Sequence, residues 1–166
     1  MRRLLLIILI IPVLAGASVA QKKAPRFEDF PVAGRSGGKP SRLNLSSHAQ
    51  ARMFRTMLRD VAKKGANFAG HYAIGYWGCG TECLRIGIVD LRTGQAYVSP
   101  FYASVGIAYR ADSRLLIVAP PEQIKELYGD DAPDHLHPRY YVLRGNKLVL
   151  VYPKSDEGHQ AEIYWK

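Results

Sequence analysis

The sequence lacks three features that would narrow its function directly: cysteines beyond a single pair, a long apolar run after its first residues, and an assembled catalytic motif. With only Cys79 and Cys83, a zinc site would have no second cysteine pair to complete it. No stretch after residue 20 approaches the roughly 20 apolar residues that a membrane-spanning helix needs. Acidic residues are also scarce, with 14 against 23 lysines and arginines, for a formal net charge of +9.

The first 20 residues have the three parts of a secretory signal peptide. Arg2 and Arg3 form a basic start, residues 4–14 are apolar, and small residues lead to a cleavage position after Ala20. The apolar run is too short for a membrane anchor, and Ala17 stands where a lipoprotein signal would require cysteine. We therefore predict a periplasmic or secreted protein, with a signal peptide at 1–20, an extended lead-in at 21–45 and a single domain at 46–166.

The charge of the mature chain indicates anionic partners. The signal peptide contains two arginines and no acid, so its removal leaves 21 basic against 14 acidic residues, or +7. A basic exported protein is attracted to lipid head groups, lipopolysaccharide or acidic glycans; the alternative is that the charge serves solubility alone. Nucleic acid is a poor candidate because the chain leaves the cytoplasm and its charge is dispersed. The predicted partner is an anionic envelope surface or another exported protein.

A long amphipathic helix is predicted after the lead-in. Ser47 with Gln50 three residues later fits a capping box, and Gly65 is a plausible end. Apolar residues recur at helical spacing and define a buried face: Phe54, Met57, Leu58 and Val61. Basic residues lie on the opposite side: Arg52, Arg55, Arg59 and Lys63. This basic side is interpreted either as a solvated surface or as a contact for an anionic partner.

The remainder of the chain has the period of two that is typical of strands. Strands are predicted at residues 72–77, 84–89, 95–99, 104–109, 115–119, 140–144 and 147–152, and residues 161–165 could form a last strand. A short helix is predicted at 120–129, with proline near its start. The short turns, above all Gly145-Asn146, favour antiparallel pairing. The predicted fold class is α+β, with one long N-terminal helix packed on a mainly antiparallel meander of six or seven strands.

The two cysteines bracket the turn of the first predicted hairpin, in Trp77-Gly-Cys-Gly-Thr-Glu-Cys83. Across a glycine-bearing turn their Cα atoms can approach to the about 5.5 Å that a disulfide needs, and an exported chain meets an oxidising compartment. A disulfide is therefore the prediction. A metal site is the alternative, and a redox pair is a third, although redox cysteines favour two intervening residues and a helix start.

Histidines supply the candidate ligands for the metal alternative. His71 precedes the first predicted strand, and His135 and His137 share an acidic loop bounded by prolines. These three residues would have to complete any site, and each is otherwise interpreted as an ordinary structural or solvated residue. No cofactor is predicted. Trp77 and Glu82, at a glycine-rich turn, are predicted to make binding contacts because aromatic residues on rigid turns supply contact area at low entropic cost.

Three short motifs resemble those of a group of small exported bacterial proteins whose activity is uncharacterised. They are Asn67-Phe-Ala-Gly-His-Tyr72, the cysteine-bearing stretch given above, and Asp90-Leu-Arg-Thr-Gly94. The resemblance runs from about residue 40 to the strand predicted at 115–119. It implies a signal peptide and a bacterial envelope address, and it transfers no catalytic residue.

Three functions are compatible with these features. The first is a non-catalytic exported binding protein, for which His71, Trp77, Glu82, Arg52, Arg55 and Arg59 are the candidate contact residues. The second is a metal-dependent hydrolase using His71, His135 and His137. The third is an immunity, inhibitor or assembly protein for another exported protein. We favour the first because no catalytic motif is assembled.

Overall fold

A computed structural model describes residues 23–34, 41–153 and the backbone of Glu162–Tyr164, so the predicted signal peptide lies outside the described residues. The predicted α+β class and antiparallel pairing are confirmed. The helices are α1 (Arg55–Lys63) and α2 (Pro121–Tyr128). The strands are β1 (Tyr72–Gly80), β2 (Cys83–Asp90), β3 (Ala96–Ala103), β4 (Ile107–Tyr109), β5 (Leu115–Val118), β6 (Arg139–Arg144), β7 (Lys147–Tyr152) and β8 (Glu162–Tyr164).

The strands form two sheets rather than the single meander that was predicted. Sheet one has the order β1-β2-β3, and sheet two has the order β4-β5-β6-β7 with β8 on its outer edge. The break falls at residues 104–106, where Gly106 has a φ of +123° and the chain leaves sheet one. The carbonyl oxygen of Gly106 accepts a hydrogen bond from Ala119 N, which directly follows β5.

The main core lies between the two sheets. Ile74, Ile86 and Ile88 of sheet one share a buried cluster with Leu116 and Tyr141 of sheet two. Neighbouring residues on the same strands have side chains on the other face, because side chains alternate along a strand. Both sheets are therefore covered on two sides, which explains why β5 is buried along its whole length.

Helix α1 covers the outer face of sheet one. Leu58 and Val61 pack with Ala73, Val89 and Val98 in a second buried cluster. The helix lies close to the sheet because β1 and β2 have glycine beneath it. A Cβ added to Gly75 would lie 3.0 Å from a Val61 methyl, and one added to Gly87 would lie 3.0 Å from a Leu58 methyl.

The predicted long helix is wrong in its length. Helix α1 has nine residues and begins at Arg55, after turns that occupy residues 45–54. Ser47 does not cap it, because the Ser47 hydroxyl bonds to the backbone of Asn44 and Ala96 instead. The residue that precedes the helix, Phe54, makes no side-chain cap hydrogen bond.

The described part of the lead-in covers the outer face of sheet two. Phe27 and Phe30 pack against a third cluster formed by Leu115, Ile117 and Tyr140. Polar contacts fix the same segment to the β4–β5 turn. The Arg110 guanidinium lies 2.6 Å from Glu28 and 2.7 Å from Asp112, and Ser113 Oγ donates to Phe27 O at 2.8 Å. Within the described residues, no helix has the length and apolar character needed to cross a membrane.

Candidate binding surfaces

The predicted disulfide is present between Cys79 and Cys83. Their Cα atoms are 5.1 Å apart, within the range that an unstrained bridge requires. The turn between them uses two residues with positive φ, Gly80 at +141° and Glu82 at +52°. The bridge therefore fixes the shape of an exposed turn at the end of the β1–β2 hairpin.

Glu82, a predicted contact residue, has a partner within the protein. Its Oε1 accepts a hydrogen bond of 3.3 Å from the Tyr128 hydroxyl at the end of α2. Partial burial raises the pKa of Tyr128, and the Glu82 carboxylate raises it further. Glu82 therefore contributes to the position of the hairpin turn as well as to its negative charge.

Trp77, the second predicted contact residue on this hairpin, is half-buried between α1 and β2. Its ring lies 5.4 Å from the ring of Phe54, and it covers Gly87, whose added Cβ would come within 2.7 Å of the indole. One edge of the indole remains at the surface, where it lines an apolar groove. Sheet packing thus fixes Trp77 in place, as a binding contact requires.

We call this cavity the hairpin groove: it has a volume of about 400 Å³ and is lined by Met53, Phe54, Thr56, Met57, Trp77, Gly78 and Cys79. Two methionines in it are unusually open to solvent. Met53 is 73% exposed and Met57 is 42% exposed. Met57 was predicted to belong to the buried helix face, and its position in the groove corrects that prediction. Methionine is flexible and adapts to apolar partners of varied shape.

Arg85 contacts Phe54, which lines the hairpin groove, and was not among the predicted site residues. Its guanidinium lies 5.1 Å from the ring centre of Phe54 and 4.8 Å from that of Tyr102. It also donates to Gln50 Oε1 at 2.9 Å and to the Tyr102 hydroxyl at 2.5 Å. The only sequence signal was a charge in an otherwise apolar strand, because its partners are 17 or more residues away.

The predicted basic side of the helix is present and exposed. We call it the basic stripe: Arg52, Arg55, Arg59 and Lys63. Lys63 forms an ion pair of 2.8 Å with Asp60, and Arg55 donates to the backbone oxygen of Arg52 at 3.4 Å. Among the described residues no ion pair is found for Arg52, Arg55 or Arg59. The stripe therefore presents three guanidinium charges to solvent.

A second apolar groove borders the other side of the stripe. We call it the lead-in groove: a cavity of about 680 Å³ lined by residues 41–45, Arg59, Ala62 and Lys63. Leu43 and Leu45 form part of the apolar lining, while Arg42 and Arg59 add positive charge. Residues of α1 thus line two apolar grooves, one at each edge of its exposed side.

His71 lies elsewhere, in a cleft between the two sheets. Its Nε2 is 3.6 Å from Asp90 Oδ1, and its ring lies 4.3 Å from that of Tyr72. Burial lowers the pKa of His71; the Asp90 carboxylate opposes this effect and the Arg92 charge adds to it. His71 is therefore mainly neutral at neutral pH and can act as a hydrogen-bond donor or acceptor.

The other two candidate metal ligands do not meet His71. His135 and His137 line a cavity of about 180 Å³ with Ser104, Ala119, Leu136 and Arg139, whereas His71 lines a different cavity. Across residues 23–34 and 41–153, no three histidine, cysteine, aspartate or glutamate side chains are grouped so that they could hold a metal ion. The disulfide occupies both cysteines.

Comparison of this chain with protein-family models, with curated proteins and with solved structures finds no match. The resemblance carried by the three short motifs therefore stays a prediction. The interpretation of function rests on the surfaces described above.

Proposed function

We propose that the protein is an exported, non-catalytic binding protein that docks on an anionic lipid surface through the basic stripe and its two flanking grooves. The observation that carries this proposal is that α1 and the turn before it expose both arginines and methionines to solvent. Charged and apolar groups exposed on one amphipathic element match the boundary between head groups and acyl chains.

The electrostatic part of the proposal rests on Arg52, Arg55 and Arg59. Each basic residue held near an anionic membrane contributes about 1 kcal/mol of attraction. A single carboxylate, Asp60, lies on the described helix itself, and it is paired with Lys63. The surface that faces a membrane would therefore be positive, because no carboxylate of the helix neutralises the arginines.

The apolar part rests on Met53, Met57 and the edge of Trp77. Exposed apolar side chains cost free energy in water, about 25 cal/mol for each Å² of apolar surface. That cost is recovered when they enter the acyl region of a lipid layer. Tryptophan is also the residue type that best suits a membrane–water boundary, because its ring is apolar and its N–H is polar.

The predicted address is compatible with this role. A disulfide is typical of proteins that fold in oxidising compartments, and the bridge at Cys79–Cys83 lies beside the hairpin groove. The signal peptide predicted at 1–20 would bring the chain to that compartment, where lipid surfaces with negative charge are available.

The test is sedimentation of the purified mature protein with vesicles. Phosphatidylglycerol mixed into phosphatidylcholine should pellet the protein, and pure phosphatidylcholine should not. The double variant Arg55→Gln/Arg59→Gln should reduce the partition coefficient roughly 30-fold, since two cations at about 1 kcal/mol each are removed. Met53→Ser/Met57→Ser should also weaken vesicle binding. This loss should persist at high salt, because salt screens the attraction of the arginines but not the burial of apolar side chains.

A matched control removes the same charge from another part of the surface. Lys125→Gln/Arg144→Gln changes two exposed basic residues that lie outside the stripe and its grooves. If this control loses as much vesicle binding as the stripe variant, net charge alone drives the association and the proposed surface is wrong. Absence of pelleting with anionic vesicles, together with capture of an acidic exported protein, would favour the inhibitor or assembly function instead.

A further inference from the structure

The cleft that contains His71 is an open cavity with polar and apolar walls, in which separate parts of the described chain meet. It has a volume of about 460 Å³ and lies where the start of β1 meets the β6–β7 turn. Residues 31–34 of the lead-in form its roof. We call it the His71 cleft; the lining residues that matter here are Val32, His71, Tyr72, Arg92, Arg114 and Leu143.

The cleft is held open by backbone contacts from each side. Gly70 N donates to Ala111 O at 2.8 Å, and Ala69 N donates to Ser113 O at 3.2 Å. The Tyr72 hydroxyl donates to Gly145 O at 3.3 Å, which joins the two sheets at the edge of the cleft. A cavity fixed in this way does not need to be ordered when a ligand binds, so less free energy is lost on binding.

The charge in the lining has one sign. Arg92 and Arg114 line the cleft, and none of the lining residues carries a carboxylate. Asp90 lies beside the cleft, with its Oδ1 3.6 Å from His71 Nε2, but it is not among the lining residues. Its Oδ1 accepts from Arg92 N at 2.9 Å and its Oδ2 accepts from Thr93 Oγ1 at 2.9 Å. In the described chain the Arg114 guanidinium forms no hydrogen bond or ion pair.

The remaining lining is apolar. Leu143 is a buried member of the main core cluster, and Val32 is partly buried against that cluster. A ligand in this cleft would therefore meet positive charge and donors at one side and aliphatic surface at the other. Arginine suits planar oxyanions because two of its N–H groups can bond to both oxygens at once.

We infer that the His71 cleft binds a small carboxylate with a short aliphatic body, whose oxygens contact Arg114 and His71 and whose body contacts Val32 and Leu143. This site is separate from the surface proposed for membrane docking, and it does not depend on that function. The aliphatic walls favour a carboxylate over inorganic phosphate, which has no apolar part to bury.

The experiment is a titration of the purified mature protein with hexanoate, followed by amide chemical shifts in two-dimensional NMR. Saturable shifts are expected at residues 69–72 and 143–145. Arg114→Gln should weaken binding at least tenfold, and Arg114→Lys should restore part of it. Lys125→Gln removes an exposed positive charge outside the cleft, is the matched control and should bind as the parent does.

Several outcomes overturn the inference. Equal weakening by Arg114→Gln and Lys125→Gln would show a general charge effect. Shifts with inorganic phosphate as large as those with hexanoate would show that the ligand needs no aliphatic body. If hexanol binds as tightly as hexanoate, the ligand needs no negative charge, and the anionic part of the inference is wrong. Circular dichroism of each variant confirms folding, and Arg114→Gln should pellet with anionic vesicles as the parent does, so that failure of this site is distinguishable from failure of membrane docking.

Discussion

The Ser47 hydroxyl forms hydrogen bonds with both the N–H and the C=O group of Ala96. Ala96 N donates to Ser47 Oγ at 2.8 Å, and the proton of that hydroxyl is shared between Asn44 O at 2.7 Å and Ala96 O at 2.9 Å. Residues 44 and 47 are thereby attached to the first residue of β3, and the turn before α1 is fixed against sheet one. The hydroxyl is buried and accounts for backbone groups that would otherwise lack partners.

Removal of that hydroxyl should destabilise the protein. Ser47→Ala leaves the buried Ala96 N–H without its acceptor, which costs about 1–3 kcal/mol. Urea unfolding followed by circular dichroism measures this loss. Ser46→Ala, one residue away and exposed, is the control and should change the free energy of unfolding by less than about 0.5 kcal/mol. Equal stability of the two variants would contradict the role given to Ser47.

The disulfide should contribute little to stability and more to the shape of the hairpin groove. Its loop is short, because the two cysteines are four residues apart, so loop closure accounts for about 2 kcal/mol. Cys79→Ser/Cys83→Ser should therefore remain folded and lose about that amount. Alkylation of the parent should label both thiols only after reduction. Labelling before reduction would show that the bridge does not form.

Gly87→Ala should displace Trp77. The new Cβ would lie 2.7 Å from the indole and 3.0 Å from a methyl of the buried Leu58, so neither neighbour has room to retreat without repacking. Overpacking of this kind costs about 1–3 kcal/mol. The tryptophan fluorescence spectrum should shift as the ring moves. Gly78→Ala is the matched control, since an added Cβ there meets no atom within 4 Å.

Stability should fall as the solution becomes mildly acidic. Burial lowers the pKa of both His48 and His71 below the ordinary value of 6.5. The unfolded chain therefore binds more protons in that range, and the stabilisation present above about pH 6.5 is lost as pH falls toward the folded-state pKa values. His48→Asn should reduce this loss when urea midpoints at about pH 7.5 and about pH 5.5 are compared.

The strands were predictable because apolar residues recur along their sequences with a period of two. The residues at which the strands end were less predictable. Strand β3 continues through Pro100 to Ala103, whereas the prediction ended at residue 99. Proline is tolerated there because β3 is the edge strand of sheet one. Which strand lies at an edge depends on pairing between distant segments, and local pattern does not contain that information.

The candidate surfaces were predictable only in their parts. The disulfide follows from two cysteines beside a glycine turn, and the basic stripe follows from helical spacing. The grooves do not, because the hairpin groove joins Met53 to Trp77 and the lead-in groove joins Leu43 to Arg59. The contact between His71 and Asp90 also spans two turns that are far apart in sequence. The predicted start of the helix was wrong for the same reason, because a tertiary hydrogen bond to Ala96 competes with the cap that Ser47 would otherwise form.

The roof over the His71 cleft has a consequence for the order in which the protein folds. Val32 N donates to Asp112 O at 3.0 Å, and Pro31 forms an isolated bridge with Ser113, so the roof is placed by a turn that is about 80 residues later in the chain. Contacts between such distant segments form slowly because a long loop must close first. Hydrogen exchange during refolding should therefore protect the β1–β2 hairpin before the amide of Val32. The His71 cleft would therefore acquire its roof only when β4 and β5 had paired, after the β1–β2 hairpin had formed.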